Sequence, residues 1–165
     1  MPHNRTRYIE PLILKALKHS PIVGLLGQRQ TGKTTLLKKY ASDYVTMDRR
    51  DILNAANLDP HHFIENRLNP FAIDECQLEP DLFPALKESV RLLPSKGRFL
   101  LSGSVRFTSR KAIRESLTGR IFNLEILPFS ISEAEERELP GVLLKWKPTD
   151  ADYSTPRNFE TKIDS

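Results

Sequence analysis

Two short stretches of this chain carry residue types that do phosphate chemistry. Gly27-Gln28-Arg29-Gln30-Thr31-Gly32-Lys33-Thr34 satisfies the pattern G-x-x-x-x-G-K-[ST], with Thr35 directly after it. The glycines let backbone N–H groups turn inward to form an anion nest, and a helix starting behind the loop adds the positive end of its dipole. Lys33 then reaches the β- and γ-phosphate oxygens, and the Thr34 hydroxyl ligates Mg²⁺. The competing reading is an ordinary glycine-containing turn, which would need the whole motif and both flanking elements to coincide.

Further along stands Phe71-Ala72-Ile73-Asp74-Glu75, an apolar run ending in two carboxylates. If the strand continues through them, successive side chains alternate in direction, so the two acids hold different jobs. Asp74 is expected to hold Mg²⁺ through a water. Glu75 is expected to point at the γ-phosphate and to orient or deprotonate the attacking water. Alone, such a pair is more often a solvated strand edge; the loop upstream gives it meaning. The adjacent glutamate argues for hydrolysis over phosphoryl transfer to a metabolite. No Asn-Lys-x-Asp, the guanine-reading pattern of GTPases, occurs in the chain.

These groups need strands and helices to carry them. Short apolar runs at 22–26, 44–47, 71–73, 98–101 and 121–127 read as strands. Between them lie segments of helical spacing. Ile9, Leu12, Ile13, Ala16 and Leu17 make one apolar face ahead of the first strand, and 34–40 follows the loop. Asp59-Pro60 reads as an N-cap and first helical position opening 61–68. Leu82, Leu86, Val90 and Leu93 suggest another helix, with Pro84 in its first turn. Strands alternating with helices predict an α/β domain around a mostly parallel sheet covered on both faces, and five strands fit the length.

A chain of 165 residues, 39% of them hydrophobic, allows one domain with a real core, and its single cysteine excludes an intrachain disulfide framework. The opening Met-Pro-His-Asn-Arg-Thr-Arg lacks the apolar stretch of a signal peptide, and no run approaches the roughly 20 apolar residues of a membrane helix. A cytoplasmic protein with no membrane partner is the expectation. The net charge of +4 permits nucleotide or nucleic acid without demanding either. The organisation expected is an N-terminal helix over 1–20, an ATP-binding core over 21–138, and a polar tail or truncated linker over 139–165.

Read in order, Gly27 to Leu36, Ile73-Asp74-Glu75-Cys76-Gln77, Phe99 to Ser104, Ser116-Leu117-Thr118-Gly119-Arg120 and Leu127-Pro128-Phe129-Ser130 with Glu133 nearby resemble the successive motifs of prokaryotic AAA-domain ATPases. The resemblance covers about residues 8–138. It implies a P-loop NTPase fold, a three-layer α/β/α arrangement with a sheet in the order 5-1-4-3-2, and ATP with Mg²⁺ as ligands. It also implies a C-terminal domain of nuclease-like fold, which the residues after Glu138 are too few to supply, so a homo-oligomer or a separate partner domain is expected.

The resemblance extends to further residues. A hydrogen bond to the γ-phosphate or the attacking water is implied for Ser102 or Ser104, with Ser104 favoured, although Ser-Gly-Ser is also common turn chemistry. Arg120 is implied either to touch phosphate in its own chain or to reach a neighbouring subunit as a finger, a structural ion pair being the alternative. Arg29, between Gln28 and Gln30, either closes over the nucleotide or solvates the loop tip. Arg106, Arg110 and Arg114 form a stripe that suits nucleic-acid phosphate or plain solvent. Cys76 and the pair His61-His62 make no metal site. Three functions compete at this point: a Mg-dependent ATPase working as a nucleotide-driven switch, a nucleotide-gated interaction module with little or no turnover, and a nucleic-acid-binding ATPase that uses the Arg106 stripe.

Overall fold

The computed structural model describes residues 5–103 and 117–137. In chain order these form α1 (Glu10–His19), β1 (Ile22–Leu26), α2 (Lys33–Tyr40), β2 (Asp43–Thr46), α3 (Arg50–Leu58), α4 (Pro60–Ile64), β3 (Phe71–Asp74), α5 (Leu82–Leu92), β4 (Phe99–Gly103), β5 (Ile121–Glu125) and α6 (Ile131–Ala134), with a 3-10 turn at Cys76–Leu78. The five strands lie in the order β2-β3-β4-β1-β5, and every pairing is parallel. Read from the other edge, this is the order implied by the resemblance.

The three central strands, β1, β3 and β4, are buried along their whole length, whereas the edge strands β2 and β5 are only partly covered. That difference explains the sequence pattern. Strands with both faces covered read as unbroken apolar runs. Successive side chains leave the sheet on opposite sides, so Phe71, Ile73, Phe99 and Leu101 enter one core with Phe63, Phe83 and Leu86 from α4 and α5. Val23, Leu25, Ala72 and Leu100 enter the other with Ile13 and Ala16 of α1 and Leu36 and Leu37 of α2. Each fully buried Leu, Ile or Phe contributes about 1.5–3 kcal/mol, and the two cores together fix the three-layer α/β/α architecture.

Several element ends differ from the sequence reading. Residues 50–58 form α3, which was not anticipated; Ile52 and Leu53 pack on the core and Ala56 is fully buried, a short stripe easily missed. Asp59 does cap the next helix, its carboxylate accepting from the His62 N–H at 2.9 Å. That helix stops at Ile64 instead of reaching 68: Glu65 is already extended, at ψ 154°, and Asn66 then turns left-handed at φ 55°. Pro84 does sit in the first turn of α5. β4 runs on to Gly103, since Ser102 and Gly103 pair with Leu25 and Leu26. Among the described residues, no helix is long and apolar enough to cross a membrane.

Candidate functional site

Parallel strands present their C-terminal ends together, so the loop after β1, the acids closing β3 and the serine near the end of β4 converge on one crevice. The loop conformation follows from its residues. At Gly27 a Cβ would stand 2.4 Å from the Ile126 carbonyl oxygen, so only glycine fits there. Gly32 takes φ 91° and Gln30 φ 63°, the left-handed turns that bring successive N–H groups to one side of the backbone. The Thr31 hydroxyl staples the loop by donating to the Gln28 carbonyl at 2.9 Å. Helix α2 starts at Lys33, so its first-turn N–H groups and dipole end at the same place.

Lys33 is 7% exposed, and its ammonium donates to the carbonyls of Gly27 (2.9 Å) and Gln28 (2.6 Å), which hold it across the loop. In front lies a cavity of about 560 Å³ lined by Arg29, Gly32, Lys33, Thr34, Asp48 and Glu75, with Gln30 and Thr35 at its wall. Its size falls in the usual small-ligand range of about 300–1,000 Å³.

Asp74 is the centre of the polar network. Its Oδ2 accepts from the Thr34 hydroxyl at 2.6 Å and from the Tyr44 hydroxyl at 3.0 Å. Its Oδ1 accepts from the Ser102 hydroxyl and, at 3.1 Å, from the Glu75 N–H. Burial, followed by the neighbouring Asp74 charge and hydrogen bond, pushes the Tyr44 phenol well above its ordinary range, so it stays a donor to the carboxylate. The donor set offered by Thr34 and Asp74 is all oxygen, which suits Mg²⁺ bound with several of its own waters.

The strand does not continue through both acids. It ends at Asp74, and Glu75 turns left-handed at φ 53°, a conformation costing a non-glycine residue about 1–2 kcal/mol. The two carboxylates therefore diverge through a turn rather than through strand alternation. Asp74 is buried in the network, while Glu75 faces the cavity and accepts from the Gln77 side-chain amide.

Ser102, fully buried, is the serine that reaches the site; Ser104, favoured from sequence, lies outside the described residues, as do Arg106, Arg110 and Arg114. Arg120 is brought elsewhere. It precedes β5, beside Ser20, whose hydroxyl donates to the Arg120 carbonyl at 3.3 Å. With Ile121 paired to Ile22, Arg120 stands at the opposite end of the sheet from the loop, a strand length of roughly 16 Å at about 3.3 Å per residue. That placement sets it apart from the phosphate loop of its own chain. Cys76 is fully buried and donates to the Ser102 carbonyl at 2.8 Å, and burial pushes its thiol well up from the ordinary range. His61 and His62 are exposed, and no group of three or more His, Cys, Asp or Glu side chains placed to share a metal occurs among the described residues. Sequence reasoning missed Tyr44; its signal is positional, a tyrosine on the strand neighbouring the acidic one.

A nucleotide-sized crevice at the ends of parallel strands, with a glycine loop, a buried lysine and a Thr–Asp pair, defines an AAA-type P-loop ATPase domain. The chain belongs to the AAA domain family, whose model matches residues 19–135. It is 34% identical over 122 residues to uncharacterized proteins of Mycobacterium bovis and Mycobacterium tuberculosis, a match covering 72% of this chain but 28% of each relative. Among solved structures it is similar to a Walker-type ATPase of Pyrococcus abyssi, with a TM-score of 0.50 and 16% identity, covering 79% of this chain and 58% of that one. That likeness concerns the fold.

Proposed function

We propose that this domain binds ATP with Mg²⁺ and hydrolyses it, the cycle serving as a switch for the part of the protein that acts. The observation that carries the reading is the Thr34 hydroxyl held 2.6 Å from the Asp74 carboxylate at the mouth of the phosphate loop. The loop amides and Lys33 bind the β- and γ-phosphates. Thr34 and Asp74 would hold Mg²⁺, which when bound would supply charge neutralisation. Glu75 orients the attacking water and accepts its proton. Ser102, by donating to Asp74, fixes the orientation of the carboxylate that would hold the metal.

The ATP-binding core is assigned to 21–138, with α1 packed against it as an N-terminal helix. The match spans 28% of the length of its curated relatives, and what the hydrolysis drives is assigned here to parts outside the nucleotide-binding core. A cytoplasmic setting suits this chemistry. The deciding experiment pairs calorimetric ATP titration with phosphate release for the wild type and Glu75→Gln. The variant should keep the wild-type affinity while turnover falls by about 10²–10⁴-fold, the usual worth of a general base. Unchanged turnover removes Glu75 from the mechanism, and absence of ATP binding by the wild type ends the proposal.

A further inference from the structure

Arg7 reaches the site from outside the strands and helices that build it. It is 5% exposed, and each guanidinium nitrogen goes to a different segment. Nη1 donates to the Thr31 carbonyl at 2.7 Å, Nη2 to the Leu127 carbonyl at 2.7 Å, and Nε to Glu133 at 3.0 Å. Its Cζ also lies 4.1 Å from the centroid of the Phe129 ring. Glu133 is equally committed, accepting from the Tyr8 N–H at 2.8 Å and closing a capping box with Ser130 at the start of α6. With all three nitrogens of the planar fork engaged, the position of the Thr31 carbonyl is well determined.

That carbonyl belongs to the Thr31–Gly32 peptide. Across a trans peptide the C=O and the next N–H point in opposite directions, so a carbonyl drawn to Arg7 sends the Gly32 N–H the other way. Gly32 lines the cavity. Glycine populates positive and negative φ almost equally, so this peptide has little intrinsic reason to keep its orientation. A flipped peptide would turn a carbonyl toward the phosphates instead of a donor. We infer that Arg7 is a positioning residue for the phosphate loop, holding the Thr31–Gly32 peptide so that the Gly32 N–H donates to the β-phosphate. The inference rests on the nucleotide reading above. The Arg7 and Glu133 side chains are 6% and 7% exposed and neutralise one another, so the contribution is orientation rather than added positive charge.

The test uses the full chain, with Mg²⁺, ADP and AMP as probes. Arg7→Ala leaves Glu133 a buried charge without its partner and endangers folding, so Arg7→Lys, which keeps the counter-charge but has one nitrogen for three acceptors, carries the measurement. Calorimetry should show ADP binding weakened by about tenfold or more, the scale of a charge-assisted hydrogen bond, with AMP affinity unchanged because AMP has no β-phosphate. A general loss of structure would weaken both nucleotides together. In parallel, ¹⁵N-glycine labelling follows the Gly32 amide. Its proton should move downfield when the wild type is saturated with ADP, and less so in Arg7→Lys. Equal weakening of ADP and AMP, wild-type ADP affinity in the variant, or a Gly32 amide that does not respond to ADP in the wild type each overturns the inference. A wild type that binds no ADP takes the nucleotide reading down with it, a result distinguishable from the others.

Discussion

The two ends of the sheet hold similar residue types and use them differently. At the N-terminal end lies the larger cavity, about 680 Å³, lined by His61, Arg67, Glu88, Ser89, Leu93 and Arg98. Its arginines are spent on the fold. Arg98 donates to the Ser89 (2.7 Å) and Leu93 (3.1 Å) carbonyls at the end of α5, where the helix dipole is negative, and stacks on Phe99. Arg67 donates to the Phe63 carbonyl at 3.0 Å and pairs with Asp43 at 3.3 Å. At the C-terminal end the smaller cavity has Lys33, Thr34 and Glu75 on its wall, backed by an acid with four hydrogen-bond donors around it. Cavity size therefore does not locate the chemistry; what the polar groups are already doing does.

The largest test of this contrast concerns Glu133, which lies near the loop yet carries structural load. Burial pushes its carboxyl up, but hydrogen bonds from Ser130 and Tyr8 backbone and from Arg7 outweigh that and bring it below the ordinary carboxylate range. Its stabilisation is thus present above the ordinary pKa and lost as pH falls through the lowered one. Glu133→Gln should lower unfolding free energy by about 3 kcal/mol at neutral pH, the scale for breaking a buried pair, and flatten the acid limb of a denaturation profile. Next, Arg98→Ala should cost about 2 kcal/mol in chemical denaturation while ATP affinity stays within about twofold, because the two sites are remote. Tyr44→Phe should do the reverse. Losing one hydrogen bond to Asp74 should shift Mg²⁺-dependent nucleotide affinity by about 1 kcal/mol, read from a Mg²⁺ titration, with the unfolding midpoint nearly unchanged. Smallest of all, Arg120→Ala should change stability by less than about 0.5 kcal/mol and leave turnover intact in dilute solution. Lost turnover there that depends on protein concentration would place Arg120 in a neighbouring subunit.

Why some of this was legible beforehand, and some not, follows from the range of the interactions involved. The phosphate loop was legible from its motif, and Gly32 is demanded locally by its positive φ, whereas the close approach that demands Gly27 comes from the distant Ile126 carbonyl. The central strands were legible because burial on both faces leaves no polar interruption in Ile22–Leu26 or Phe71–Ile73. The end of β4 was not, because it is set by pairing with β1, which draws Ser102 and Gly103 into the sheet against their turn propensity. Tyr44 meets Asp74 through strand register, and Arg7 meets Glu133 across 126 residues of chain. Neither contact has a local signature. Arg120 looked equivalent to other strand-end residues until the register assigned it to the far end.

Cys76 opens the 3-10 turn behind this site, with its thiol sealed against the Ser102 carbonyl. As the sole cysteine of the chain, it makes the protein its own clock of local opening. A thiol reagent in solution can modify it only when the turn swings away from β4, so the labelling rate counts those excursions without any engineered probe. Nucleotide bound a few residues away should slow that clock, and the ratio of rates with and without ligand reads how tightly the bound state holds the turn closed.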